Sequence, residues 1–180
     1  MKVTRAQAEE NRERILDNAA QLFRERGFDG VGLNDLMQSA GLTRGGFYGH
    51  FESKDDLAAQ ATRRALQTNR EQWKQQADHS LQAWVRTYLS GAGRGLVALA
   101  GDAARGGPAV KEAFGEGVDS LTQTLQRGMP AATAGERREQ ALALLSTLVG
   151  SLLLSRAVGD TGLSRELREA ARKSLPVGGG

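Results

Sequence analysis

The 180-residue chain has no cysteine. Disulfides and thiolate metal sites are therefore excluded, and a cytosolic setting fits. Histidine occurs only twice, as His50 and His79, which leaves little from which to build a metal centre or an imidazole-based catalytic group. Paired carboxylates at catalytic spacing and a phosphate-cradling glycine loop are also missing, so neither an enzyme nor a cofactor is expected. There is no long apolar stretch at the amino terminus and no cleavage-site pattern. Period-two alternation and internal repeats are lacking too, so the sequence predicts an all-α protein.

Concentrated positive charge is missing where it would be most telling. The formal net charge is +3, but residues 1–57 hold eight Lys and Arg against ten Asp and Glu, a net of −2, and the remaining residues hold sixteen against eleven, a net of +5. Bulk charge is therefore no argument for nucleic-acid binding by the amino-terminal part. Any positive footprint there must be local, built from single cations and helix amino termini.

What is present is concentrated in residues 33–57, LNDLMQSAGLTRGGFYGHFESKDDL. Leu33, Leu36, Met37 and Ala40 recur at helical spacing, and Gly41 follows where a left-handed residue ends a helix at little steric cost. Thr43 stands in position to cap a second helix, with Leu42 and Phe47 placed as a hydrophobic staple. That second helix contains Gly45, Gly46 and Gly49, each costing roughly 1 kcal/mol in a helix interior relative to Ala. A segment so poor for stability suggests a surface that something must approach closely. Helix, tight turn and exposed helix together make the geometry that enters the major groove of DNA.

The run Ala40-Gly41-Leu42-Thr43-Arg44-Gly45-Gly46-Phe47-Tyr48-Gly49-His50-Phe51-Glu52-Ser53-Lys54, continuing to Leu57, resembles the amino-terminal domain of TetR-family transcriptional regulators. The resemblance covers about the first third of the chain. It departs at Val31 and Gly32, where relatives commonly open the first motif helix with Ser or Thr; glycine offers no side-chain oxygen there. The family likeness implies a homodimeric, one-component regulator, most simply a ligand-responsive repressor on a near-palindromic operator. The alternative is a helical small-molecule-binding protein whose head has lost sequence-specific DNA binding, a reading favoured by the acidic head and the side-chain-poor glycines.

Within that likeness, Asn34, Thr43, Arg44, Gly45, Gly46, Tyr48, His50 and Lys54 are the expected DNA contacts. Arg44 can reach a base edge, although most arginines are simply solvated. Tyr48 and His50 can donate to phosphate oxygens; His50 could equally bond a backbone carbonyl. Lys54 adds its charge to the free N–H groups of a helix first turn.

Helical periodicity over the whole chain predicts about nine helices. They run from about residue 4 to 26, through the two motif helices, and from Ser53 to about 76. Others follow from 80 to 89, 96 to 105, 109 to 127, 135 to 158 and 164 to 175, with Ser90–Gly93 read as a flexible connection. Residues 9–69 form the expected helix-turn-helix domain, with the motif at about 32–51. Residues 70–175 form the larger effector-binding and dimerisation domain, and 176–180 an unstructured tail. The polar end of the helix from Ser53 is expected to link head and body.

Trp73, Trp84, Tyr88, Leu99, Phe114 and Leu121 would surround an effector cavity by the family likeness, for an apolar or aromatic small molecule. Plain core is the other reading of each. ALALLSTLVGSLLLSRAV, the most apolar run, is interrupted by Ser146, Thr147, Ser151, Ser155 and Arg156. It is therefore read as a helix buried between partners, with no membrane involved. Leu145, Leu148, Gly150, Leu152 and Leu153 are the expected dimer contacts.

Overall fold

The computed structural model describes the backbone of residues 4–74, 80–92 and 94–174; the side chains of residues 69, 72–74, 91, 92 and 94 lie outside that description. Among the described residues there are nine helices and no strand. They are α1 (Arg5–Arg26), α2 (Leu33–Ser39), α3 (Arg44–Gly49), α4 (Lys54–Lys74) and α5 (Leu81–Thr87, continuing as a π turn over Tyr88–Ala92). The rest are α6 (Arg94–Arg105), α7 (Pro108–Gln126), α8 (Ala134–Ala157) and α9 (Gly162–Lys173).

The chain divides into two compact units, Met1–Thr68 with Ala98–Glu116, and Asn69–Val97 with Gly117–Gly180. The first unit thus contains parts of α6 and α7 as well as the expected head. Its core joins Ile15, Ala19 and Phe23 of α1 to Leu36 and Met37 of α2, Phe47 of α3, Leu57 of α4, Leu99 of α6 and Val110 of α7. Each of the larger side chains, removed from water almost entirely, contributes about 1.5–3 kcal/mol. Val31 is itself fully buried here, so the position where relatives carry a hydroxyl is used for packing.

Local signals explain where these helices begin and end. Thr4 accepts the N–H of Gln7 at 3.2 Å and starts α1. Gly27 ends it with φ 74°, and a Cβ at this position would stand 2.9 Å from the Asp102 carboxylate. Asp102 accepts the backbone N–H of Phe28 at 3.1 Å and is held in turn by Arg105 at 2.6 Å. Across the unit, Arg64 pairs with Glu13 and Asp17 of α1, and Arg63 grips Glu116 with two hydrogen bonds of 2.7 and 3.1 Å.

In the second unit, α8 opens on a reciprocal cap. Thr133 Oγ1 accepts the Glu136 N–H at 3.2 Å, and the Glu136 carboxylate accepts the Thr133 N–H at 3.0 Å. One face of α8 packs on α9, where Ser151 donates to the Leu167 carbonyl at 2.9 Å and Ser155 to the Ser164 carbonyl at 3.2 Å. By length and composition α8 could cross a bilayer, yet Ala141, Leu144, Leu145, Leu148 and Leu152 are buried within this chain.

Two expectations change here. Leu145, Leu148 and Leu152, assigned to the dimer contact, are 4%, 0% and 4% exposed in the single chain. A helix apolar on nearly all sides gives no periodic clue to which face a partner covers. Of the expected five, Gly150 and Leu153 stay accessible, and Leu142 and Leu154 are exposed beside them. The connection at Ser90–Gly93 is helical as far as Ala92, because Tyr88 and Leu89 are buried and anchor the turn. Gly93 and the tail residues 176–180 lie outside the described residues.

Candidate DNA-binding face

Alternation of buried and exposed positions builds this face. In α2, Leu36 and Met37 are buried while Asn34 and Asp35 point outward. Gly32 caps the helix, and the Asp35 carboxylate reaches back to accept the Gly32 N–H at 3.4 Å. Glycine cannot return the second bond of a capping box, so only half of that cap exists. Gly41, with φ 71°, then reverses the chain, helped by the Leu42 N–H donating to the Met37 carbonyl at 2.8 Å.

The second motif helix differs from expectation in form. Residues Arg44–Gly49 make a tight 3-10 helix of six residues. Three glycines in so short a run favour the tighter, weaker turn over an α-helix. Thr43 precedes it in extended conformation, its carbonyl accepting the Gly46 N–H at 3.0 Å. Its hydroxyl makes no capping bond, contrary to the expected side-chain cap, and is left available at the surface.

Phe47 fixes the orientation of this turn. It is fully buried and packs 5.8 Å from Phe51, centroid to centroid. The adjacent Tyr48 ring stands edge-on to it at 5.2 Å, an orientation that leaves Tyr48 73% exposed. Arg44, Gly45, Gly46 and Gly49 all lie on the outside. Arg44 has no ion-pair or hydrogen-bond partner among the described residues.

Nothing inside the protein requires the three glycines. None has positive φ, and a Cβ added at Gly45 or Gly49 would meet nothing within 4 Å; at Gly46 it would touch only Met37 Cε at 3.7 Å, an ordinary contact. Internal packing does not account for the bare outer face.

His50 ends the turn, its N–H donating to the Phe47 carbonyl at 2.9 Å; its half-buried imidazole has no bond to a carbonyl among the described residues. Ser53 then caps α4, accepting the Asp56 N–H at 3.0 Å. Lys54, half-buried, is the first residue of α4. Asn34, Thr43, Arg44, Gly45, Gly46, Tyr48, His50 and Lys54 therefore all belong to the α2–α4 segment of one compact unit.

The expected effector residues fall into two groups. Trp84 stacks on Tyr88 at 5.4 Å and 21°, and burial pushes the Tyr88 phenol pKa up; Leu121 is buried in the same unit. Leu99 and Phe114 instead pack into the core of the first unit. Periodicity identified them as inward-facing but could not say toward which core. The Trp73 side chain lies outside the described residues.

Residues 15–61 match the family model described as "Bacterial regulatory proteins, tetR family". The chain is 43% identical over 54 residues to the HTH-type transcriptional regulator AcrR of Shigella flexneri, covering 30% of this chain and 25% of the relative. It is 47% identical over 57 residues to the HTH-type transcriptional repressor BepR of Brucella suis, covering 32% and 27%. The matched segment thus spans about a quarter of these relatives. Solved structures extend the likeness in fold. A TetR-family transcriptional regulator from Cytophaga hutchinsonii superposes with a TM-score of 0.77 at 20% identity, over 96% of both chains. Reduced NemR of E. coli gives 0.75 at 17% identity, over 91% of this chain and 96% of that one. In sequence, residues 15–61 of the head match the tetR family of bacterial regulatory proteins, and along nearly its whole length the chain shares the fold of solved TetR-family regulators.

Proposed function

We propose that the chain is a one-component DNA-binding transcriptional regulator, acting in the cytoplasm as a homodimeric repressor on a near-palindromic operator. The observation that carries this reading is the outer face of α3. It presents Thr43 with a hydroxyl that makes no capping bond, Arg44 without a partner among the described residues, an exposed Tyr48 and three glycines that local packing does not require. In this reading Arg44 and Thr43 address bases, with Asn34 beside them, while Tyr48, His50 and Lys54 address phosphates.

Two-fold pairing supplies two such faces for two half-sites. Leu142, Leu153 and Leu154 of α8 and Leu163 of α9 are 40–52% exposed, an apolar set suited to a second copy. An apolar or aromatic effector releases the operator if it binds more tightly to the form that does not bind DNA, since equal binding shifts nothing.

The test is selection of a duplex from a random pool by the full-length protein, followed by anisotropy titration across a salt series. Specific binding that weakens steeply with salt, through counterion release, is the expected result. No enriched sequence, or an affinity indifferent to salt, overturns the reading.

A further inference from the structure

The loop after α3 carries His50, Glu52 and Ser53 and delivers Lys54 to the proposed DNA face. Its conformation is held by a relay that begins on α1. Asp56 accepts the Glu52 N–H at 3.2 Å through one carboxylate oxygen, while its own N–H donates to Ser53 Oγ. The other oxygen accepts the Gln60 amide at 2.7 Å. The Gln60 carbonyl oxygen accepts in turn from the Arg12 guanidinium, 48 residues earlier in sequence. That guanidinium also lies over the Phe51 ring, 5.2 Å from its centroid, and so braces the loop's aromatic anchor.

The residue types are dictated by the chemistry. Arginine has only donors and an ionised carboxylate only acceptors, so a group joining one to the other along this path must offer both. Glutamine does. Glutamate at this position would set a second carboxylate against Asp56, and leucine would break the link between Arg12 and Asp56, leaving Asp56 with the Glu52 N–H alone on this path.

We propose that Arg12, Gln60 and Asp56 are positioning residues for DNA binding, a strut that touches no DNA but holds His50 and Lys54 in register with the phosphate backbone. This rests on the DNA-binding reading above. Arg12 belongs to the amino-terminal helix, outside the residues that address the duplex, and acts through Gln60 and Phe51.

The experiment uses the full-length protein and the selected operator, with Gln60→Leu, Arg12→Leu and Arg12→Lys. Gln60→Leu should lose about tenfold in affinity, as expected for one charge-assisted contact. The salt slope should shrink by about one as one phosphate contact is lost, with the melting temperature close to wild type. Amide exchange at Glu52 should quicken at the same time. Arg12→Leu should behave alike, whereas Arg12→Lys, which keeps the charge and a donor but loses the planar guanidinium over Phe51, should fall between wild type and the leucine variant.

Unchanged exchange at Glu52 in both leucine variants overturns the strut. Faster exchange with unchanged affinity and salt slope overturns its role in positioning. Absence of specific binding by the wild-type protein overturns the DNA-binding reading, and the inference with it. Should Gln60→Leu fail to fold, the two Arg12 variants decide the matter alone, because Arg12 is 30% exposed in its side chain.

Discussion

The backbone N–H of Phe28 donates to the Asp102 carboxylate at 3.1 Å across 74 residues of sequence. It ties the turn after α1 to α6 within the first compact unit. The Asp102 side chain is 11% exposed, so the bond is sheltered from competing water. Asp102→Ala should cost about 1–3 kcal/mol, the usual penalty for a sheltered donor left without its acceptor. Asp102→Asn, whose amide oxygen still accepts, should cost less. Urea denaturation of the three proteins checks this ordering, and an alanine variant as stable as wild type refutes it.

Arg44→Ala should remove about 1–3 kcal/mol of discrimination at one base position and leave thermal stability unchanged, since Arg44 has no partner among the described residues. Competition titrations with the selected operator and with duplexes mutated one position at a time supply the measurement. Retained discrimination at every position would move base readout elsewhere.

Gly45→Ala and Gly49→Ala should leave stability unchanged or raise it by up to about 1 kcal/mol, because alanine narrows the unfolded ensemble and meets no neighbour. Operator affinity should fall in the same variants, through the added methyl on a face that approaches DNA. Calorimetry and anisotropy on one preparation give both numbers. Unaltered affinity in both variants would show that the glycines are simply tolerated.

Leu153 is half-exposed on α8, whereas Leu148 is fully buried, and the two should respond differently to substitution. Leu153→Glu should convert dimer to monomer in sedimentation velocity at micromolar protein while far-ultraviolet dichroism stays that of a folded helical protein. Leu148→Ala should cost about 2–5 kcal/mol of fold stability through the cavity it opens. A Leu153→Glu protein that sediments as wild type would place the pairing surface elsewhere.

The head was legible in the sequence because its signals are local. Gly41 at a positive-φ position, the apolar spacing of Leu36 and Met37, and the serine cap before Lys54 each act over a few residues. Contacts made across the chain left no such trace. Asp102 gave no sign that it would meet Phe28, nor Arg12 that it would meet Gln60; only the i, i+4 spacing of Asp56 and Gln60 hinted at part of that relay. The three glycines pointed to an exposed, weak helix and left open whether it would be an α-helix or a 3-10 turn, while its orientation, set by burial of Phe47, depends on contacts across the unit. In α8 leucines occur on every side, so the split between Leu148 inside and Leu153 outside needed coordinates.

Because positions 45, 46 and 49 are free of internal crowding, the protein separates what it must do to fold from what it does at its outer surface. Small side chains at these three positions should yield mostly intact molecules, so that target preference can change without compensating changes in the interior. Retargeting by a handful of substitutions is thus open to a breeder of variants as well as to natural divergence.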